Sequence, residues 1–159
     1  MKLIIIAVGK LKEKYLKQGI DEYSKRLSRF CDLEIVEIED EQAPENLSAA
    51  QELQVKKKEA DRILKKVKSG TTLIVMDVKG ERCDSEGFAA KLNSFFVSGS
   101  SHITFVIGGS LGLDSELVKR ADFRFSLSAL TFPHQLARLI LLEQVYRAFK
   151  IMNGETYHK

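Results

Sequence analysis

The residues best suited to chemistry lie near the end of the chain, on one long apolar helix and in the tail behind it. His134 and Arg138 are four residues apart, so a helix places both on one face at its N-terminal end. The positive end of the helix dipole disfavours protonation of a histidine, which leaves it as a neutral hydrogen-bonding partner or base. Arg138 offers donors for a carbonyl or a phosphate. The second group is the tail Tyr157-His158-Lys159, a kind of segment that frays in an arbitrary protein.

Two turns built from small residues follow two predicted strands. Gly108-Gly109-Ser110 comes directly after the apolar strand Ile103–Ile107, and Ser128-Ala129-Leu130-Thr131 follows the strand Phe123–Leu127. In an open α/β sheet, the carboxyl ends of the strands are where ligands bind. Taken alone, the Gly-Gly pair favours a plain turn. Two such loops together, with no lysine or acidic cluster to hold phosphates, favour backbone recognition of a flat neutral group such as adenine.

Several familiar motifs are absent from the sequence, which contains no Walker A motif, no HExxH, no nucleophile elbow and no metal-ligand spacing. The segment 108–112 departs from G-x-G-x-x-G and follows the fourth predicted strand, whereas a dinucleotide fingerprint usually opens the fold. Cys31 and Cys83 form no CxxC pair and indicate no disulfide framework. We therefore expect no metal site and two free thiols.

Length and composition indicate one globular domain, residues 1–159, with 44% hydrophobic and 30% charged residues. The apolar run Leu3–Val8 is too short for a membrane span and for most signal-peptide cores, so we expect a cytosolic protein without membrane contact. The net charge of +3 is unevenly spread, because residues 31–55 carry only acidic charges. Lysines crowd residues 2–17, and basic side chains load the C-terminal third. This pattern leaves both a polyanionic partner and plain solvated helix faces open.

Predicted strands and helices alternate along the chain. The strands fall at Leu3–Val8, Ile35–Ile38, Thr72–Val78, Ile103–Ile107 and Phe123–Leu127. The helices follow a stripe from Leu16 to Phe30, an N-cap at Ser48 with Gln51 in a capping box, an N-cap at Asp84 or Ser85, the segment Asp114–Arg120, and Pro133–Met152. Lys79-Gly80 is predicted to turn the chain, and Gly154 to end the last helix. The alternation predicts an α/β fold with a mostly parallel sheet and helices on both faces.

The last predicted helix is apolar over more than one stripe. Its apolar residues are Leu136, Leu139, Ile140, Leu142, Val145, Tyr146 and Phe149. One interpretation is a helix in the centre of the core. The other is a helix shared between the sheet and a second subunit, close to a two-fold axis. The pattern alone leaves both interpretations open.

Four segments resemble one known family. They are V-G-K-L-K-E-K-Y at 8–15, F-V-I-G-G-S-L-G-L at 105–113, the run S-L-S-A-L-T-F-P-H-Q-L-A-R-L-I-L-L-E-Q-V-Y-R-A at 126–148, and G-E-T-Y-H-K at 154–159. The chain resembles the bacterial ribosomal large subunit pseudouridine methyltransferase H family over its whole length. That family is a compact member of the SPOUT superfamily.

The resemblance implies a C-terminal trefoil knot, which general rules of chain topology would not predict. It implies a homodimer that binds S-adenosylmethionine in the knot and methylates N3 of pseudouridine 1915 in helix 69 of 23S rRNA, on the assembled ribosome. By motif, the cofactor contacts would be Met76, Gly108, Leu127, Ser128, Ala129, Leu130, Thr131 and Phe132. Two weaker alternatives are a non-catalytic, ribosome-associated RNA-binding protein on the same fold and a nucleotide-binding enzyme of Rossmann type.

The resemblance also changes the expectation for the tail, because Y-H-K is part of the family signature. We expect it to fold over the cofactor site of its own or of the partner subunit. The catalytic candidates are therefore His134, Arg138, Tyr157 and His158. Arg138 is further expected to face rRNA phosphates together with three lysines, Lys10, Lys12 and Lys14.

Overall fold

Five parallel strands form the centre of the molecule, seen in a computed structural model that describes residues 1–159. They are β1 (Lys2–Val8), β2 (Asp32–Ile38), β3 (Thr72–Glu81), β4 (His102–Ile107) and β5 (Phe123–Phe125). Their order across the sheet is β2-β1-β4-β3-β5. The buried residues of β1 and β4 form nearly continuous apolar runs because helices cover both faces of the sheet. The predicted α/β fold with a parallel sheet is confirmed.

Five helices cover the sheet. They are α1 (Lys14–Leu27), α2 (Ala49–Leu64), α3 (Ser85–Val97), α4 (Ser115–Arg120) and α5 (His134–Met152). The larger buried cluster joins α1, α3 and α5 to one face of the sheet. The smaller cluster joins α2 and α4 to the other face. Alternate residues of β1 enter the two clusters, Leu3 and Ile5 the larger, Ile4 and Ile6 the smaller, as the two-residue period of a strand requires.

Local signals in the sequence set several helix ends as predicted. The Ser48 side chain accepts a hydrogen bond from the Gln51 N–H, and the Gln51 side chain returns one, which completes a capping box. Asp84 caps α3 and Asp114 caps α4 through backbone N–H groups. Gly154, with a φ of 65°, ends α5 in a Schellman motif, because its N–H donates to Ile151 O and the next N–H to Lys150 O.

The predicted turn at Lys79-Gly80 is wrong, because β3 continues to Glu81 after an irregularity and pairs again with Phe125. A Cβ at Gly80 would lie 2.8 Å from the backbone of Arg124, so this second pairing requires glycine. The fifth strand is shorter than predicted and ends at Phe125 rather than Leu127. Beyond it the chain leaves the sheet edge and lines a pocket.

Helix α5 packs against both α1 and α3 within one chain. This double contact accounts for most of its apolar surface and confirms that it is a core helix. A partly exposed stripe remains at Leu136, Ile140 and Gln144. None of the helices combines the length and the apolarity that crossing a membrane requires.

Candidate active site

A pocket of about 580 Å³ opens at the carboxyl edge of the sheet, between the ends of β3, β4 and β5 and the start of α5. This volume is typical of small-molecule and cofactor sites. Seven of the eight predicted cofactor contacts line it: Met76, Gly108, Leu127, Ser128, Leu130, Thr131 and Phe132. Ala129 is not among the lining residues. The two small-residue loops are therefore brought together, as their positions after parallel strands predict.

The loop after β4 is tightly packed around its glycines. A Cβ at Gly108 would lie 2.9 Å from Leu113 Cδ2 and 3.1 Å from the Gly112 carbonyl carbon. A Cβ at Gly109 would lie 3.2 Å from Val8 Cγ1. Gly112 has a φ of +85°, and its N–H donates to Gly109 O at 3.1 Å, which closes the turn. The backbone here can therefore approach a ligand closely, without side chains in the way.

The loop after β5 is held by its own serines. The buried Ser126 hydroxyl donates to Ser128 O at 3.0 Å, and the Ser128 hydroxyl accepts from the Leu130 N–H at 3.0 Å. Leu130 is 69% exposed at the pocket, which the exposed Val78 also lines. Exposed apolar side chains on two walls suit the faces of a flat ring.

Asp77 is the only carboxylate that lines the pocket, and no lysine or arginine lines it. Arg124 donates to Asp77 Oδ2 from Nε at 3.2 Å and from Nη2 at 2.6 Å. Partial burial pushes the pKa of Asp77 upward, but the hydrogen bonds from Arg124 and the Lys79 N–H, together with the charges of both residues, lower the pKa overall. Asp77 directly follows Met76, but no local pattern in the sequence marks it as a pocket residue. A pocket without cations suits a neutral or cationic ligand better than a polyphosphate.

His134 begins α5 and lies between two cavities. It lines the large pocket on one side and, on the other, a cavity of about 50 Å³ shared with Asp40 and Glu59. Its Nε2 would lie 3.3 Å from a Cβ at Gly9, so the ring packs on the loop after β1. Burial, followed by the charge of Arg138, lowers the pKa of His134 despite the opposing effect of Asp40. A histidine that is neutral at pH 7 was predicted, although from the helix dipole rather than from burial.

Arg138 is 1% exposed, which contradicts the expectation that it faces rRNA phosphates. Its Nη1 donates to Glu37 Oε2 at 2.9 Å, and its Nη2 donates to Gly9 O at 3.2 Å. The side chain therefore points from α5 into the protein. The three lysines grouped with it, Lys10, Lys12 and Lys14, are exposed in the same region.

The tail folds back along α5 instead of fraying. The Tyr157 ring meets Tyr146 edge-on at 5.0 Å between centroids, and its hydroxyl donates to Glu143 Oε1 at 3.2 Å. Burial raises the pKa of Tyr157 to about 12, so at neutral pH this phenol acts as a donor and not as a base. Arg147 covers the Tyr157 ring and lies 3.2 Å from His158 Nδ1.

His158 lines a second cleft, between α3, α5 and the end of β5. This cleft shares Phe125 and Leu127 with the large pocket, so the tail lies beside the pocket of its own chain and not over it. No group of three side chains in the structure has the arrangement of a metal site. Cys31 and Cys83 are both free thiols.

The family model and the curated relatives that match this chain agree with each other and cover nearly its whole length. Residues 1–158 match the family described as predicted SPOUT methyltransferase. The ribosomal RNA large subunit methyltransferase H of Acetivibrio thermocellus is 67% identical over 159 residues, and that of Ruminiclostridium cellulolyticum is 64% identical, each covering 100% of both chains.

Two solved structures share the fold at low sequence identity. The tRNA (m1G37) methyltransferase from Aquifex aeolicus has a TM-score of 0.54 at 14% identity, covering 92% of this chain and 70% of that one. A probable methyltransferase from Bordetella pertussis has a TM-score of 0.55 at 11% identity, covering 92% and 95%. At these identities the likeness concerns the fold alone.

Proposed function

Because this chain belongs to the SPOUT methyltransferase family, we propose that it transfers a methyl group from S-adenosylmethionine to N3 of pseudouridine 1915, in helix 69 of 23S rRNA on the assembled ribosome. The full-length identity to relatives named ribosomal RNA large subunit methyltransferase H supports an rRNA substrate. The single structural observation that carries the proposal is the pocket at the carboxyl edge of the sheet, lined by both small-residue loops.

The lining of this pocket fits S-adenosylmethionine. Met76 and Leu130 supply apolar walls for the adenine, and the backbone around Gly108 permits close approach to the ligand. The paired carboxylate of Asp77 and the absence of lining cations suit a positively charged sulfonium. When bound, the cofactor supplies a methyl group that the sulfonium already activates. The protein then has to position the base and stabilise the negative charge that develops on it.

The side chains around the pocket provide a route for the N3 proton. N3 of pseudouridine lies between two carbonyl groups, and its proton must leave before or during attack on the methyl group. His134, which lines the pocket with a lowered pKa, is available as a neutral acceptor. His158 is proposed to contact the target base from the tail, and Tyr157, whose hydroxyl donates to Glu143, is proposed to hold the tail in place for that contact. Arg138 is buried, so it would support the reaction from inside the protein and not by contact with the rRNA.

Assembly and topology follow from the same proposal. We infer a homodimer in which the partly exposed stripe of α5 at Leu136, Ile140 and Gln144 packs near the two-fold axis. The cleft beside His158 lies on this side of the helix, so a partner subunit would meet the tail there. The trefoil knot of the family and a cytoplasmic location, where ribosomes are found, belong to this proposal.

Calorimetry tests the cofactor assignment. S-adenosylmethionine should bind at one site per chain, while ATP and NAD should not bind at comparable concentrations. Preference for NAD or ATP would favour the Rossmann-type alternative. Cofactor binding without transfer of labelled methyl groups to ribosomes that lack the modification would favour a non-catalytic RNA-binding protein.

A further inference from the structure

Arg138 is the largest fully buried side chain in the molecule, and its charge has one counter-ion. That counter-ion is Glu37, near the end of β2, 101 positions away in the chain. Arg138 Nη2 donates to the Gly9 carbonyl just beyond β1, and Arg138 Nε has no hydrogen-bond partner. One guanidinium on α5 thus joins the ends of two neighbouring strands.

Stability alone does not explain an arginine in this position. Burying a guanidinium is costly, and an apolar side chain of similar volume often stabilises a protein as well or better. The unpartnered Nε adds to this cost. This ion pair, in which Arg138 is buried and the Glu37 side chain is 39% exposed, is therefore better explained by the geometry that it fixes than by its net contribution to folding.

The geometry fixed here is that of the loop between β1 and α1. Glu37 Oε2, which accepts from Arg138, also accepts from the Leu11 N–H at 2.9 Å. The Lys12 N–H donates to Gln135 Oε1, on the first turn of α5, at 3.3 Å. Together with the bond to Gly9 O, these contacts tie residues 9–12 to α5 and β2 at three points.

The tied loop presents charge beside the proposed catalytic histidine. Lys10 and Lys12 are exposed on the loop, and the His134 ring packs against Gly9. Partial burial raises the pKa of Glu37, but the hydrogen bonds from Arg138 and the Leu11 N–H, together with the charges of Arg138 and Lys10, lower the pKa overall, so this carboxylate is ionised at neutral pH. Releasing the loop would move both lysines relative to the mouth of the pocket.

We propose that Glu37 and Arg138 form a latch that positions loop 9–12, with Lys10 and Lys12, for the phosphates of the rRNA substrate. The latch residues are positioning residues and touch neither rRNA nor cofactor. This inference rests on the proposed function, since it assigns the loop to that substrate. It replaces the expectation that Arg138 itself binds phosphate.

Replacing Glu37 by glutamine tests the latch, because the latch and simple electrostatics predict opposite changes in the affinity for ribosomes. Glu37→Gln removes one negative charge near a polyanion, so electrostatics alone predicts tighter binding of ribosomes. Loss of the latch predicts the opposite, an increase of about tenfold in the KM for ribosomes, the scale of one charge-assisted hydrogen bond. The Kd for S-adenosylmethionine should stay within about twofold, because loop 9–12 does not line the pocket.

Glu39→Gln is the matched control. Glu39 is exposed and lies two residues beyond Glu37. Its replacement by glutamine removes the same charge but leaves the contacts of the latch in place. Its KM for ribosomes should be unchanged or lower. An equal rise in KM for both variants, or no rise for Glu37→Gln, would overturn the proposal.

Two further measurements separate the latch from a general loss of stability. Arg138→Met should raise the KM for ribosomes, and adding Glu37→Gln to it should have little further effect, since both changes release the same loop. Additive effects would contradict the latch. If Arg138→Met does not fold, the comparison of Glu37→Gln with Glu39→Gln decides alone.

Hydrogen exchange provides a readout that needs no enzymatic activity. In Glu37→Gln, the amide of Leu11 should exchange at least about tenfold faster, while amides in the centre of β1 keep their protection. Unchanged exchange at Leu11 would overturn the latch even if the protein proves inactive on ribosomes. A protein that shows faster exchange but no methyl transfer would instead sink the proposed function and leave the latch intact.

Discussion

Gly108 is the residue at which added bulk should most directly obstruct cofactor binding. A valine there would place its Cβ 2.9 Å from Leu113, which also lines the pocket, so the loop after β4 would have to shift. We expect Gly108→Val to fold but to lose at least about a hundredfold in affinity for S-adenosylmethionine, about 2.7 kcal/mol. Calorimetry measures the affinity, and circular dichroism reports the fold. Parental affinity in Gly108→Val would refute the pocket assignment.

His134 should make folding dependent on pH. Its folded pKa lies below 6.5 because of burial and the charge of Arg138, so the unfolded chain binds more protons in the window between these values. The contribution of His134 to stability is therefore fully present above pH 6.5 and is lost as the pH falls toward the folded pKa.

Urea unfolding between pH 5 and 7.5 measures this dependence. The difference in unfolding free energy between the parent and His134→Gln should shift in favour of the variant as the pH decreases. Titration of the His134 ring by NMR should give a pKa below 6.5. A pKa above that value would remove His134 as a neutral proton acceptor and would contradict the proposed catalytic role.

At the scale of elements, the tail is the segment whose removal should separate catalysis from assembly. Deleting residues 157–159 removes the Tyr157 contact with Glu143 and the placement of His158 beside the second cleft. We expect methyl transfer to fall by at least about a hundredfold, with cofactor affinity and dimer formation nearly unchanged. Transfer to ribosomes measures the first quantity, and calorimetry and light scattering measure the others.

Point variants show how much of the loss of methyl transfer is due to each residue of the tail. His158→Ala should reproduce most of the loss, while Tyr157→Phe keeps the ring packed on Tyr146 and should lose less. If the deletion variant methylates ribosomes at the parental rate, the tail has no catalytic role and His134 remains as the candidate acceptor.

The elements that sequence predicts well are those set by local signals. The capping box at Ser48 and the glycine at 154 act within one turn of the chain, so a few neighbouring residues are enough to predict their effect. The continuation of β3 through Gly80 was missed because it depends on pairing with β5, more than 40 positions away. Arg138 was misplaced for the same reason, since a charged residue on a helix is usually exposed unless a distant partner such as Glu37 is known.

The residues that line the candidate pocket were predicted more completely than the ion pair at its edge. Two small-residue loops after parallel strands lie at one sheet edge by topology alone, so Gly108 and the turn 128–131 follow from the order of elements, whereas Met76, Leu127 and Phe132 followed from the family resemblance. The ion pair of Asp77 with Arg124 joins β3 to β5 and has no counterpart in any local pattern. Pairs of side chains on elements that are distant in the sequence could be identified only from the structure.

At the scale of the whole molecule, the stripe of α5 left partly exposed should be covered by a second copy of the chain. Light scattering at micromolar concentration should give a mass near twice the 18.0 kDa of one chain. Ile140→Glu, which places a charge in the centre of this stripe, should shift the mass toward the monomer. Exposed Val97→Glu on α3 is a control that should leave the dimer intact. A monomeric parent protein would contradict the assembly.

The most direct test of the central claim is to map the methyl group on the ribosome. The protein is incubated with labelled S-adenosylmethionine and assembled ribosomes that carry pseudouridine in helix 69 without its methyl group. Reverse transcription locates the product, because a methyl group on N3 blocks the pairing edge of the base. The proposed function predicts close to one methyl group per ribosome, at N3 of that pseudouridine, and none with Gly108→Val. Absence of incorporation, or labelling at any other nucleotide, would contradict it.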